Sequence, residues 1–378
     1  MNENEKYLKR LEVCLITCTM LLVGIGLLAI YAASAMKGIH LLDDPYLFLR
    51  KQSLVALLGF SMFFVARKFP ASWVKKLPLP FFIFGLLLLG LILIPGAYAK
   101  VGGATRWLNL PVVRFQTSEF AKIALILFLA KNLSRKTFDI SSFWRGVFPN
   151  MLFFTVFAFF LMLQPDFGTT ALLGGITFGM LIVSGLAGRY IIGSGIVAMG
   201  LGVTAIMVAP YRMKRILAFL DPWDQIKEGG FQIIQSYLAF QNGGLFGTGL
   251  GESKQKLFFL PEAHTDFILS VIGEEMGFLG VALVIITYFV LTFCAFKITR
   301  NQEDPFFKYA CFGLTLLISM QAILNMGVVT GLLPTKGIPL PFISNGSSSL
   351  LSFMGVVCIL LVANRKSFDP KDKTQDET

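Results

Sequence analysis

Long apolar runs, each closed by a short polar or basic stretch, recur along the whole chain. Runs of this length are read as spanning helices, because a hydrocarbon core of about 30 Å takes roughly 20 residues at helical rise. Ten are readable, over residues 11–33, 53–66, 77–95, 120–133, 147–163, 169–186, 190–209, 267–296, 306–326 and 350–363. The pattern predicts an all-α polytopic membrane protein: a short N-terminal segment (1–10), a transmembrane domain (11–363) and a polar tail (364–378). The first run is too long for a cleavable leader and lacks its small-residue site. One large polar stretch, 210–265, separates the seventh and eighth spans. Within it Phe231, Ile234, Tyr237 and Leu238 recur at helical spacing. They predict a short amphipathic helix that either lies at the outer interface or packs as core. Gly243, Gly244, Gly247, Gly249 and Gly251 follow as a turn-rich segment able to move as a lid. They do not match a phosphate loop.

Composition supports lipid as the main solvent. Of 378 residues, 55% are hydrophobic and 15% charged, against about 25% charged in ordinary soluble domains. Mean hydropathy is +0.71. A disordered chain, a disulfide-stapled domain and a His-rich metal site are excluded, the last because only 2 His are present. The net charge of +11 points to basic cytoplasmic turns, not nucleic acid. With Lys6, Lys9 and Arg10 inside, Arg67, Lys68, Lys75, Lys76, Arg189, Lys297 and Arg300 fall on the same side, and both termini are cytoplasmic. Cys14, Cys18, Cys294, Cys311 and Cys358 lie in apolar stretches and read as small buried hydrophobes.

Charges inside or at the edge of spans are expensive and mark function. His264-Thr265-Asp266 opens the eighth span. Either this segment caps the helix, or Asp266 is a general base whose pKa desolvation raises. Glu274 and Glu275 lie too deep for the membrane surface unless their helix lines a cavity. Gln164-Pro165-Asp166 reads as a helix stop followed by a cap. Thr117-Ser118-Glu119 reads as a helix start. Arg106 and Arg114, like Arg212, Lys214 and Arg215, either bind phosphate through a planar or point charge or anchor at lipid headgroups. Lys336 sits in an irregular segment stiffened by Pro334, Pro339 and Pro341, and such backbone at membrane depth must line protein or a cavity. Asn345-Gly346-Ser347-Ser348-Ser349 then supplies small polar groups. Two classes fit: an enzyme acting on an anionic lipid-linked substrate at the outer leaflet, and a transporter of such a lipid.

Three segments then carry a resemblance. They are Leu220-Asp221-Pro222-Trp223, the run from Gly249 through Lys254 to Lys256, and Leu260-Pro261-Glu262-Ala263-His264-Thr265-Asp266-Phe267. With Arg106-Trp107, Ser118-Glu119, Gln164-Pro165-Asp166 and Pro334 to Ser344, in order over 102–349, they resemble the SEDS family (shape, elongation, division and sporulation). The run before His264 is similar to the division branch, with the elongation branch as the alternative.

The resemblance implies ten spans and a peptidoglycan glycosyltransferase. Such an enzyme polymerises lipid II at the outer face of the cytoplasmic membrane, at the division site, beside a class B penicillin-binding protein and other divisome membrane proteins. It implies Asp266 as the catalytic base and Lys336 as a substrate lysine. Arg106, Arg212, Arg215, Glu119, Asp166, His264, Ser344 and Ser348 are expected around the substrate. Mg²⁺ or another divalent cation on the diphosphate is expected with the reaction; a lipid II flippase is the competing activity. The chain departs from the usual pattern at Thr117, Phe167, Asn345 and Ser347, where Pro, Leu, Tyr and Gly are common.

Overall fold

The computed structural model describes residues 3–94, 98–101, 104–109, 114–135, 142–226, 229–253 and 263–366. All ten expected spans fall on helices: α1 (Glu3–Leu42), α2 (Leu47–Ala66), α4 (Pro78–Leu91), α5 (Thr117–Leu133), α6 (Phe148–Leu163), α7 (Phe167–Val183), α8 (Gly188–Met207), α11 (Ile268–Arg300), α12 (Pro305–Val329) and α13 (Ser347–Lys366). Between them lie α3 (Ala71–Lys76), α9 (Pro210–Leu220) and α10 (Gly230–Gly243). Among the described residues, 6 helices are long and apolar enough to cross a membrane on length and composition alone, and α4 and α7 are shorter apolar helices.

α5, with 17 residues, is too short to be counted among them, and it carries Glu119, Lys122 and Lys131. It is nevertheless central. α4, α6, α7, α12 and α13 all pack on it, and the residues from Ala121 to Ala130 are buried throughout. Its polar groups therefore meet protein instead of lipid, which is where a bilayer tolerates them. α8 is the opposite case. None of its described residues is buried, and its main neighbour is α9.

The core runs through α1, α2, α5, α11, α12 and α13. On the basic face Asp304 caps α12 by accepting from Phe306 N at 2.9 Å. Its other oxygen takes Lys75 at 2.6 Å and Lys366 at 2.7 Å, tying α3 and α13 to that cap. The five cysteines are free thiols, with Cys14 and Cys294 Sγ 3.1 Å apart where α1 meets α11.

Three features differ from the sequence expectation, and one decides between its two alternatives. The outer loop before α5 holds a small antiparallel sheet, in the order β1 (Tyr98–Val101), β2 (Ala104–Asn109), β3 (Arg114–Gln116). Trp107 stands opposite Ala99 and Gln116, and pairing satisfies backbone groups that a bare loop would leave to water. Residues 210–220 form a basic amphipathic helix, α9, with Met213, Leu217 and Leu220 exposed along one side. α10 packs as core on α11: Ile233, Ile234 and Ala239 are buried while Tyr237 is exposed. Ser236 Oγ fastens it to Ser270 Oγ at 2.7 Å and the Val329 carbonyl at 2.6 Å.

The third difference is a break in α11. Gly277 adopts φ 66°, ψ −166°, a conformation open to glycine at little steric cost. The break interrupts the helical ladder, and the glycine-rich segment is bonded across it. Thr248 and Gly249 N–H donate to the Glu274 and Glu275 carbonyls at 2.9 and 3.1 Å, and Phe278 N–H donates to the Gly244 carbonyl at 2.9 Å. A methyl on Gly277 would stand 2.4 Å from Gly247 N. The segment expected as a free lid is thus stapled to the broken helix. Ser253 Oγ donates to Glu274 from the same loop.

Candidate active site

The site is built where the segment between α12 and α13 crosses the start of α11. Proline denies that segment a helical ladder, so its carbonyls need other donors. Neighbouring spans supply them. Asn325 Nδ2 donates to the Ile338 carbonyl at 2.8 Å, Gln321 Nε2 to the Pro339 carbonyl at 2.9 Å, and Tyr288 Oη to the Pro341 carbonyl. Asn325 Nδ2 also donates to the Asp266 carbonyl at 2.8 Å, so one buried amide holds both strands of the crossing. Ser344 Oγ accepts from Leu340 N at 2.8 Å and donates to the Thr265 carbonyl at 2.6 Å, while Asn345 N–H donates to the His264 carbonyl at 3.0 Å.

Asp266 is half-buried in the turn entering α11, whose cap position is Phe267. Its Oδ2 lies 3.0 Å from where a Cβ on Gly337 would stand. The carboxylate thus rests against bare backbone, one residue from Lys336. Gly337 is exposed and Lys336 half-buried. Burial pushes the Lys336 ammonium below the ordinary lysine value.

Further cations converge from α9. Arg215 Nη1 donates to the Thr335 carbonyl at 3.3 Å. The Arg212 guanidinium lies 5.0 Å from the centre of the Phe167 ring, and Lys336 Nζ lies 5.5 Å from the same ring. Asp266, Lys336, Arg212, Arg215 and Ser344 are therefore gathered around one segment. Arg106 stands at the adjoining turn. Strand alternation puts Arg106 and the buried Leu108 on one face of β2. Arg106 Nη2 donates to the Pro165 carbonyl at 2.6 Å, and Nη1 lies 3.7 Å from Asp166. Asp166 in turn caps α7 through Thr169 N at 3.2 Å. The cap read from Gln164-Pro165-Asp166 is present.

The remaining expected residues lie behind this front. His264 is buried, with Lys37 Nζ 3.4 Å from its Nε2 and the Phe48 ring centre 5.6 Å away. Ser348 Oγ accepts from Gln116 N at 3.1 Å, joining β3 to α13. Glu119 faces Lys122 at 2.9 Å, and Lys122 reaches Gln321 Oε1 at 2.7 Å. Sequence reasoning missed Lys122, Gln321 and Asn325. The available signal was Lys122 itself, a charge three residues after Glu119 in an apolar run. Residues 254–262 of the resemblance, and the Arg114 side chain, lie outside the described residues.

A multi-helix membrane protein with one carboxylate and several cations at the mouth of its core is the class these features define. The family described as cell cycle protein, FTSW_RODA_SPOVE, matches residues 12–368, and the chain belongs to it: it is a SEDS protein. A protein of Geobacter sp. (strain M18), "Probable peptidoglycan glycosyltransferase FtsW", is 43% identical over 350 residues, covering 93% of this chain and 95% of that one. A chain from a structure titled "Structural coordination of polymerization and crosslinking by a peptidoglycan synthase complex" superposes with TM-score 0.78 at 29% identity, covering 94% of this chain and 98% of that one. The Thermus thermophilus rod shape determining protein RodA gives TM-score 0.69 at 26% identity, covering 94% and 97%.

Proposed function

We propose that the protein is a peptidoglycan glycosyltransferase of the division branch, polymerising lipid II into β-1,4-linked glycan at the outer face of the bacterial cytoplasmic (inner) membrane. The observation that carries this reading is Asp266 Oδ2, 3.0 Å from the Cβ position of Gly337 and one residue from Lys336. A base then lies against the segment that carries a cation. The acceptor sugar's 4-hydroxyl attacks the anomeric carbon of a chain held on a lipid diphosphate. Asp266 takes the hydroxyl proton as the C–O bond forms. The bond to diphosphate breaks, its electron pair leaves with the phosphate oxygen, and the α-linked centre inverts to β. Diphosphate needs charge stabilisation more than a proton. Lys336, Arg212 and Arg215 supply that charge, and Arg106 extends it. Ser344 holds the backbone before Asp266, whereas Glu119, Asp166, His264 and Ser348 act by positioning the segments around it.

Among the described residues no group of three His, Cys, Asp or Glu side chains could hold a metal ion. A Mg²⁺ carried by the substrate diphosphate would add charge stabilisation there. A class B penicillin-binding protein in a divisome assembly supplies transpeptidation in this reading. Both termini lie in the cytoplasm, and the site of action is the septum.

The test is polymerisation of labelled lipid II by the purified full chain with its transpeptidase. Asp266→Asn is expected to reduce chain formation by about 10²–10⁴-fold, with folding and complex formation unchanged. Full activity in that variant removes the base assignment. Wild-type protein that carries lipid II across a bilayer without polymerising it replaces the polymerase with a flippase.

A further inference from the structure

We propose that Phe167 is a positioning residue whose ring holds the Arg212 guanidinium and the Lys336 ammonium together as a two-cation clamp for a lipid-linked diphosphate. The inference rests on the polymerase reading for the identity of the diphosphate, but its geometry does not depend on that reading. Arg212 comes from α9 and Lys336 from the segment between α12 and α13, two parts of the chain far apart in sequence. They meet on one aromatic ring, at 5.0 and 5.5 Å from its centre. Two like charges in a partly dry site repel more strongly than in water. An aromatic face is negative and attracts both. Phe167 can therefore offset part of that repulsion.

The ring is held at its root. Phe167 is the first residue of α7, directly after the Asp166 cap that Arg106 contacts. A Cβ on the next residue, Gly168, would touch Ile338 Cδ1 at 3.4 Å and Lys336 Cδ at 3.8 Å, so the start of α7 already abuts the lysine stem. Arg215, bonded to the Thr335 carbonyl, pins α9 beside the residue preceding Lys336. Phe167, Arg212 and Lys336 are each half-buried, leaving one side of the clamp accessible. A guanidinium fork beside a point ammonium suits two linked phosphates, the fork taking one bidentately and the ammonium the other. Leucine, common at this position in the family pattern, would fill the space without a negative face.

The test uses the full chain in detergent, with fluorescent undecaprenyl diphosphate as the binding probe and labelled lipid II for turnover. Phe167→Leu is expected to weaken probe binding about five- to tenfold, the scale of one to two lost cation–π contacts. KM should rise by a similar factor while kcat changes little. Phe167→Tyr should restore binding, and Phe167→Leu should cost less in an Arg212→Gln background than in the wild type. Phe167→Met serves the same purpose if the leucine variant denatures. Unchanged binding in a folded Phe167→Leu protein overturns the clamp, as does a full leucine effect on top of Arg212→Gln, or a wild type that does not bind the probe. A wild type that binds the probe and responds to these substitutions, but makes no glycan, sustains the clamp and removes only the polymerase reading.

Discussion

Lys122 and Lys336 serve the same segment in opposite ways. Lys122 is 3% exposed, locked between Glu119 and Gln321, and Gln321 passes the connection to the Pro339 carbonyl. Its charge is matched inside the bundle. Lys336, three residues before Pro339, is half-buried and meets an aromatic ring. A ring stabilises a cation without neutralising it. One lysine therefore supports the segment from within, and the other presents positive charge at its surface. A buried cation marks function only when its environment leaves the charge available, and depth alone does not decide that.

Breaking the inner partner should give the largest effect. Lys122→Met leaves Glu119 as an uncompensated buried carboxylate and is expected to destabilise the protein by about 3–5 kcal/mol, read as a lower unfolding temperature in detergent. One Glu119 oxygen already lacks a hydrogen-bond partner among the described residues. Adding Glu119→Gln should recover much of the loss, since removing both charges avoids the orphan.

Breaking the outer partner should spare stability and reduce function. Lys336→Ala is expected to lower kcat/KM for lipid II by roughly 10–100-fold, the range of one charge-assisted hydrogen bond of about 1.5–3 kcal/mol, with the unfolding temperature unchanged. A parallel fall in stability would make Lys336 a second Lys122.

The pH profile sharpens the contrast further. Burial lowers the Lys336 pKa, so its positive charge is complete below that pKa and is lost as pH rises through it. Lipid II binding should decline on the alkaline side earlier than an exposed lysine would allow. Lys336→Arg should move that decline to higher pH, because guanidinium stays protonated. The smallest effect belongs to Gly337→Ala, whose methyl would crowd Asp266 Oδ2 at 3.0 Å. A loss of about two- to fivefold in turnover is expected if the carboxylate shifts by a few tenths of an ångström, with probe binding preserved.

The fold was legible wherever a span faced lipid on at least one side, because apolar length alone then marks it. It was legible for α5 as well, despite Lys122, because Ala121 to Ala130 is otherwise apolar. The sheet was hidden by strands of 4, 6 and 3 residues, too short to show alternation. α9 was hidden by Arg212, Lys214 and Arg215, which read as a basic loop until Met213, Leu217 and Leu220 are seen on one side. Asp266 and Lys336 were singled out because charges beside spans are costly. Asn325, Gln321 and Tyr288 escaped because each is one polar group in a long apolar run, and only the proline-freed carbonyls explain their presence.

The turn at Gly277 also divides α11 into two unequal lengths. As one rod, α11 would be ~50 Å long at ~1.5 Å per residue, far more than a hydrocarbon core of ~30 Å accommodates. Past the glycine, 278–300 measures ~35 Å, a full crossing with a modest tilt. The preceding turns carry Ser270, Glu274 and Glu275, all buried against protein. A single residue lets one continuous apolar run serve both as a length sufficient to cross a membrane and as the floor beneath the Asp266 carboxylate.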